Sequence, residues 1–126
     1  MRIAFHDNSL CLRGTTVAIY DWAYWTRHYL DIDPIIMFNL KNNFNDKSVI
    51  KKFENEFPVF GYEDKSQIDD ILSKNKCDAF LMEKGGEPDG VISSVSKNLT
   101  TNADMKVSPA PDKSFTSTFF VGYLFP

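Results

Sequence analysis

The fold is decided by a stretch that runs from Arg2-Ile3-Ala4-Phe5 through His6-Asp7 to Arg13-Gly14-Thr15-Thr16. Its apolar start predicts a β-strand, His6-Asp7 opens a polar loop, and a helical pattern begins at Thr15. A glycine-containing turn after a parallel strand directs its loop at the N-terminus of the next helix, where unpaired N–H groups and the helix dipole favour an anion. Two interpretations follow for this strand, loop and helix: a plain scaffold, or a loop that binds phosphate or sugar.

The residue types in this loop suit a ligand. Arg13 supplies a permanent forked cation, and Gly14 lets the backbone approach a ligand closely. Thr15 or Thr16 can cap the helix or donate a hydroxyl, and we expect His6 or Asp7 to polarise a hydroxyl. The sequence contains neither G-x-G-x-x-G nor G-x-x-x-x-G-K-[ST], which disfavours a dinucleotide site or a P-loop nucleotide site.

The helical pattern from Thr15 to Leu30 carries an aromatic stripe, made of Ala18, Trp22, Trp25 and Tyr29. Because these residues fall at i, i+4, i+7 and i+11, we expect a wide aromatic face buried against a sheet. An aromatic platform for sugar is the less favoured interpretation.

The next segments repeat the same alternation of strand and helix. Residues 34–38, 59–62 and 77–82 have the short apolar runs of strands buried on both faces. Asp46 or Ser48 can cap a helix between the first two, and Ser66 begins another helix before the last. The order β-α-β-α-β-α-β predicts an α/β fold with a doubly wound parallel sheet and helices on both faces.

A second glycine-rich loop, residues 83–90, follows the fourth predicted strand. In open α/β sheets the ligand crevice lies beyond the carboxyl ends of the strands, so we expect both loops to face one crevice. Lys84 would hold an anionic or hydroxyl-rich ligand, Gly85 and Gly86 would allow close approach, and Asp89 would accept hydroxyl protons. A plain surface turn is the structural alternative.

Composition argues against several classes of function. The net charge of -3 and the pI near 5.3 argue against binding to a nucleic-acid backbone. No apolar run approaches the roughly 20 residues of a membrane span. The N-terminus lacks the pattern of a signal peptide, so we expect a cytoplasmic protein without an integral membrane segment. Cys11 and Cys77 are expected to be reduced thiols.

After Asn98 the chain changes character. Residues 100–114 are rich in Thr, Asn, Asp, Lys, Ser and Pro, which predicts an irregular C-terminal tail. Residues 115–125 form an apolar, β-like run that is expected either to add a last strand to the sheet or to support self-association. The sequence therefore divides into an α/β domain, residues 1–99, and a divergent tail, residues 100–126.

Three segments together resemble a known family: Ile3-Ala4-Phe5-His6-Asp7, the run from Arg13-Gly14-Thr15-Thr16 to Tyr20-Asp21-Trp22-Ala23, and Lys84-Gly85-Gly86-Glu87-Pro88-Asp89-Gly90. They resemble the N-terminal half of a group of GT-B glycosyltransferases, which has an "RGT..A.YDYA" start and a "K.GxxDG" turn. The resemblance covers roughly residues 1–99 and implies a Rossmann-like, acceptor-side domain. In such enzymes a second Rossmann-like domain holds the nucleotide-sugar donor, and sugar is transferred to an acceptor hydroxyl, usually without a metal.

The resemblance and the two loops together imply one set of substrate-binding residues. They are His6, Asp7, Arg13, Gly14, Thr15, Lys84, Gly85, Gly86 and Asp89. No catalytic residue, metal or cofactor is assigned, and the implied partners in the complete enzyme are a nucleotide-sugar donor and a sugar or glycan acceptor. Replacing Arg13 with Ala is expected to abolish phosphosugar binding and to leave the thermal midpoint nearly unchanged.

The chain departs from the family in two ways. Where the family continues into a strand that begins with histidine, roughly "HAVF", this sequence has Thr100-Thr101-Asn102-Ala103-Asp104. The donor-binding half is missing as well, and a truncated or frameshifted reading frame would account for the tail. We therefore expect the chain to be inactive alone, as a hexosyltransferase-type enzyme that needs a donor-binding domain supplied elsewhere.

Two alternatives belong to other classes of function. The first is a non-enzymatic α/β interaction module with a flavodoxin-like outline, in which the run 115–125 pairs with a partner. The second is an independent hydrolase or transferase in which Cys11 is the nucleophile and His6 the base, although the sequence offers no third group to orient them.

Overall fold

The computed structural model describes residues 1–83, 89–100 and 114–115, and its elements alternate as the sequence predicts. They are, in chain order, β1 (Arg2–Asp7), α1 (Gly14–Leu30), β2 (Asp33–Asn39), α2 (Lys47–Glu54), β3 (Val59–Tyr62), α3 (Gln67–Lys74), β4 (Ala79–Met82), β5 (Lys97–Thr100) and β6 (Ser114–Phe115). The predicted α/β class is confirmed.

All strands of the sheet run parallel, in the order β3-β2-β1-β4-β5-β6. The first five strands have the order 3-2-1-4-5 of a Rossmann-like sheet, and the two residues of β6 pair with β5. The order reverses between β1 and β4, because the chain moves outward from β1 to β3 and then returns to the other side of β1. In open sheets the ligand crevice lies at this switch point, beyond the carboxyl ends of the strands.

Helices cover both faces, as predicted. Ile19 of α1 and Phe53 of α2 pack with alternate strand residues such as Ile3 and Phe5 in one core cluster. On the opposite face, Ile68 and Leu72 of α3 pack with the intervening strand residues, among them Ala4, Ile35, Met37 and Phe80. Burial on both faces explains why these strands are continuous apolar runs.

The prediction of a buried aromatic stripe on α1 is wrong at Trp25 and Tyr29, although Trp22 is partly buried against the core. The buried residues of this helix are Thr16, Ile19, Ala23 and Thr26, whereas Trp25 is 42% exposed and Tyr29 is 76% exposed. Small residues let the helix approach the sheet closely, and the two threonines bury their hydroxyls at little cost because each donates a hydrogen bond inside the protein. The indole of Trp25 packs instead on the ring of Tyr29 at the surface, with centroids 5.3 Å apart.

A polar residue sets the start of α2. Asp46 caps this helix, since its carboxylate accepts hydrogen bonds from the backbone N–H groups of Ser48 and Val49 at 2.8 and 3.4 Å.

The predicted irregular tail, residues 100–114, has a strand residue at each end. Thr100 is the last residue of β5, and Ser114 is the first residue of β6. Residues 101–113 between them lie outside the described part. Of the apolar run 115–125, only Phe115 is described. Across the described residues, no helix has the length and apolar character to cross a membrane.

Candidate functional site

The carboxyl end of β1 places two polar side chains on opposite faces of the sheet. His6 points to the face covered by α3, and Asp7 points to the N-terminus of α1, because successive residues of a strand alternate in direction. Both side chains are buried at the switch point of the sheet. A buried His and a buried Asp at a strand end each need hydrogen-bond partners, and those partners define the site.

Asp7 holds the loop and the helix start together. Its Oδ1 accepts a hydrogen bond from Nη2 of Arg13 at 2.6 Å, and its Oδ2 accepts one from Oγ1 of Thr16 at 2.8 Å. The Asp7 side chain is only 3% exposed, whereas that of Arg13 is 44% exposed. The predicted cation is therefore present at the crevice, but its charge is balanced by a buried carboxylate.

The start of α1 differs from the predicted capping. Arg13 is the N-cap residue in an extended conformation, and no side chain caps the helix. Thr16 donates its hydroxyl to Asp7 instead, and Oγ1 of Thr15 is buried without a hydrogen-bond partner in the described part of the chain. Among the described residues, no atom outside the adjoining backbone lies within 4 Å of the position that a Cβ on Gly14 would take, so they leave space beside the backbone there.

Glu83 adds a second carboxylate to this side of the crevice, directly after β4. Burial raises the pKa of its carboxyl, the negative charge of Asp7 raises it further, and the guanidinium of Arg13 opposes both effects. Glu83 therefore lies within electrostatic range of Asp7 and Arg13, which are themselves ion-paired. Glu83 is not among the predicted site residues, although its position directly after a strand at the switch point could have indicated it.

On the other face, His6 is paired with Tyr62 of β3. The Nε2 atom of His6 lies 2.8 Å from Oη of Tyr62, and both side chains are buried. The two rings are stacked with centroids 5.7 Å apart, and Phe80 meets the His6 ring edge-on at 5.5 Å. Burial, followed by the charge of Asp89, raises the pKa of Tyr62 to about 12. Tyr62 keeps its proton at neutral pH. No local pattern in the sequence indicates its contact with His6.

Asp89 is the described end of the second loop. Its Oδ1 accepts a hydrogen bond from the N–H of Val91 at 3.0 Å, and its backbone carbonyl accepts one from Nζ of Lys65. Gly90 follows with a φ of 78°, a conformation that favours glycine. Lys84, Gly85 and Gly86 lie outside the described residues, so the predicted meeting of Arg13 and Lys84 at one crevice stays a prediction.

No family model, curated protein or solved structure matches this chain. The order of the strands shows a Rossmann-like α/β fold, and the chemistry of the site has to be inferred from the side chains at the switch point.

Cys11 lies apart from His6. It lines a groove between α1 and α2, together with Tyr20, Lys52 and Phe53. Because His6 is paired with Tyr62 on the face covered by α3, the predicted pairing of a Cys11 nucleophile with a His6 base is wrong.

The described residues at this side of the crevice offer both hydrogen-bond donors and acceptors. The guanidinium of Arg13 is paired with the carboxylate of Asp7, and the carboxyl of Glu83 lies within electrostatic range of both. Carboxylates accept hydrogen bonds from hydroxyls, Arg13 donates, and the space beside Gly14 leaves room for a ligand. In the described ranges 1–83 and 89–100, no group of three or more His, Cys, Asp or Glu side chains could hold a metal ion.

Proposed function

We propose that this chain is the acceptor-side, Rossmann-like half of a glycosyltransferase-like protein, whose crevice binds the hydroxyls of a sugar or glycan acceptor. The observation that carries the proposal is the cluster of Asp7, Arg13 and Glu83 at the carboxyl ends of β1 and β4. Hydroxyl-rich ligands need both donors and acceptors at one place, and this cluster supplies both.

The sequence resemblance supports the same assignment. Arg13 and Thr16 belong to the segment that resembles the glycosyltransferase start, and both donate hydrogen bonds to Asp7. Asp89 belongs to the second resembling segment, and its charge acts on Tyr62, the partner of His6. In this proposal the nucleotide-sugar donor is held by a donor-side domain supplied elsewhere, and the chain alone does not transfer sugar.

Acceptor binding is tested by amide NMR on the 126-residue chain with the methyl glycosides of glucose, galactose and mannose at millimolar concentration. We expect shifts that cluster at Asp7, Arg13–Thr16 and Glu83. Glu83→Gln should weaken binding several-fold, because a charged acceptor forms stronger hydrogen bonds than a neutral amide. Glu54→Gln is the matched control, since Glu54 is exposed at the end of α2, and it should leave binding unchanged.

Three results would overturn the proposal. Shifts that spread evenly over the surface, or equal effects of both substitutions, would show that this cluster does not bind an acceptor. In a calorimetric titration with UDP-glucose and GDP-mannose we expect no saturable heat, and tight binding of either donor by this chain would contradict the acceptor-side assignment.

A non-enzymatic interaction module is the second candidate. The observation in its favour is the exposed aromatic surface of α1, where the Trp25 ring packs on those of Tyr24 and Tyr29. Exposed aromatic patches are common at protein interfaces. Self-association, here or through residues 115–125, predicts a mass that rises with concentration in size-exclusion chromatography with light scattering. A monomer at every concentration would count against this candidate.

A further inference from the structure

We propose that Thr100, at the end of β5, is a further ligand contact of the crevice, and that the acceptor reaches it with a hydroxyl of a second sugar unit. The inference rests on the proposed function and adds to it a class of acceptor, a disaccharide or a longer glycan. In the described part of the chain, two buried side-chain polar atoms have no hydrogen-bond partner, Oγ1 of Thr15 and Oγ1 of Thr100.

The unpaired hydroxyl of Thr100 is an exception in this fold. Other buried hydroxyls donate inside the protein, as those of Thr16, Thr26 and Ser96 do. Thr100 has no exposed surface, so its hydroxyl carries the cost of leaving water without a hydrogen bond to offset it. Native proteins rarely keep such a group, and a ligand that supplies the missing partner is one reason to keep it.

The position of Thr100 links it to the crevice. It is the last residue of β5 and pairs with Met82, the last residue of β4, which pairs in turn with His6 of β1. Paired residues of neighbouring strands share a face, and Met82 packs in the core cluster on the side of α3, so Thr100 lies on that side. Glu83 follows Met82 directly, and Thr15 lies in the first turn of α1 at the same edge of the sheet.

The spacing of the strands sets the length of the acceptor. β1 and β5 lie on either side of β4, which makes two strand spacings, or about 10 Å, between the Asp7 end of the crevice and Thr100. A ligand that contacts both ends has to extend across β4, and a second sugar unit provides that length. Thr100 is neutral and lies beside the apolar Met82, and its hydroxyl can both donate and accept, which suits an uncharged sugar hydroxyl.

The test compares acceptors of two lengths on the intact chain. Amide NMR titrations use the methyl glycosides of maltose, lactose and mannobiose beside those of glucose, galactose and mannose. We expect at least one disaccharide to bind several-fold more tightly than its monosaccharide and to shift the amide signal of Thr100. Thr100→Val keeps the shape of the side chain and removes the hydroxyl, so it should abolish this gain and leave monosaccharide binding unchanged.

Thr26→Val is the matched control for binding, because it removes the hydroxyl of another buried threonine, which donates to the carbonyl of Ala23 within α1. It should keep the preference for the longer acceptor. Thermal unfolding without ligand supplies a second measurement. Thr100→Val should have the same or a higher midpoint, since it removes an unpaired hydroxyl, whereas Thr16→Val should have a lower one, since Asp7 loses a donor.

The results that overturn the inference differ from those that overturn the proposed function. Equal affinity for short and long acceptors in the unmodified chain would remove the second subsite, even if Thr100→Val does not fold. An unchanged preference in folded Thr100→Val would do the same, and so would a fall in its thermal midpoint as large as that of Thr16→Val. In each case the effect of Glu83→Gln on monosaccharide binding would still support the proposed function. Absence of binding by every glycoside would overturn the proposed function and the second subsite with it.

Discussion

At the scale of single residues, the site depends on how the charge of Asp7 is balanced. Asp7 is buried, and its two carboxylate oxygens are used by Arg13 and Thr16. A buried carboxylate that loses a charged partner keeps its desolvation cost and loses the compensating attraction. Arg13 is therefore a structural residue as well as a candidate ligand-binding residue, and this changes the expectation that its removal leaves the thermal midpoint unaffected.

We predict that Arg13→Ala lowers the free energy of unfolding by about 1–2 kcal/mol. The value is smaller than for a fully buried pair because the Arg13 side chain is 44% exposed and water screens the interaction. Arg13→Lys keeps the charge but not the forked guanidinium, so its free energy of unfolding should lie between those of the unmodified protein and Arg13→Ala. Urea unfolding of these three proteins measures the differences. If the Ala variant loses no more stability in the native background than in an Asp7→Asn background, the pair does not stabilise the fold.

At the scale of elements, α1 shows what an amphipathic pattern leaves undecided. The aromatic residues of this helix give an apolar stripe at helical spacing, yet the side that packs on the sheet carries Ala23 and two threonines. Thr16 and Thr26 look polar in the sequence, and their burial is acceptable only because the fold brings Asp7 and Ser9 to Thr16 and the helix turn itself accepts from Thr26. Periodicity located the helix, but the orientation of its faces depends on partners that lie outside it.

Two substitutions in α1 should separate these faces. Ala23→Leu forces a larger side chain against the sheet at a position with no exposed surface, and we predict a loss of about 1–3 kcal/mol in the free energy of unfolding. Trp25→Ala removes a far larger group but should cost less than about 1 kcal/mol, because the indole is 42% exposed and packs on surface rings. Thermal unfolding of both variants measures these losses. A larger loss of stability for Trp25→Ala than for Ala23→Leu would mean that the aromatic face of α1 is the buried one.

At the scale of the whole molecule, the sequence predicts β1 to β4 well and β5 poorly. The first four strands include continuous apolar runs such as Ala79–Met82, whose burial needs no specific partner. Lys97–Thr100 has one apolar residue, Leu99, so no pattern marks it as a strand. The same limit applies to the site: Asp7, Arg13 and Thr16 are near in sequence, whereas the contact of Tyr62 with His6 requires the order of the strands.

A network of polar side chains joins β5 and the segment just before it, residues 93–96, to the rest of the fold. The side chain of Asn98, fully buried in β5, accepts from the N–H of Ser93 and donates to its carbonyl, each at 2.8 Å. Ser93 Oγ donates to Asp69 of α3, and Ser96 Oγ donates to the carbonyl of Cys77. Asn98 thus satisfies two backbone groups that a polar-to-apolar replacement would leave unpaired.

The whole sheet should therefore be sensitive to Asn98→Asp, which keeps the shape of the side chain, removes the donor to Ser93 and buries a charge. We predict a loss of about 2–4 kcal/mol at neutral pH. The introduced carboxyl has a higher pKa in the folded than in the unfolded chain, because burial disfavours its charged form, so the loss should shrink as the pH falls and the group is protonated. Asn43→Asp, at an exposed loop position, makes the same chemical change and should cost little. Equal stability of the two variants across pH, measured by urea unfolding, would mean that β5 contributes little to the cooperative unit that unfolds.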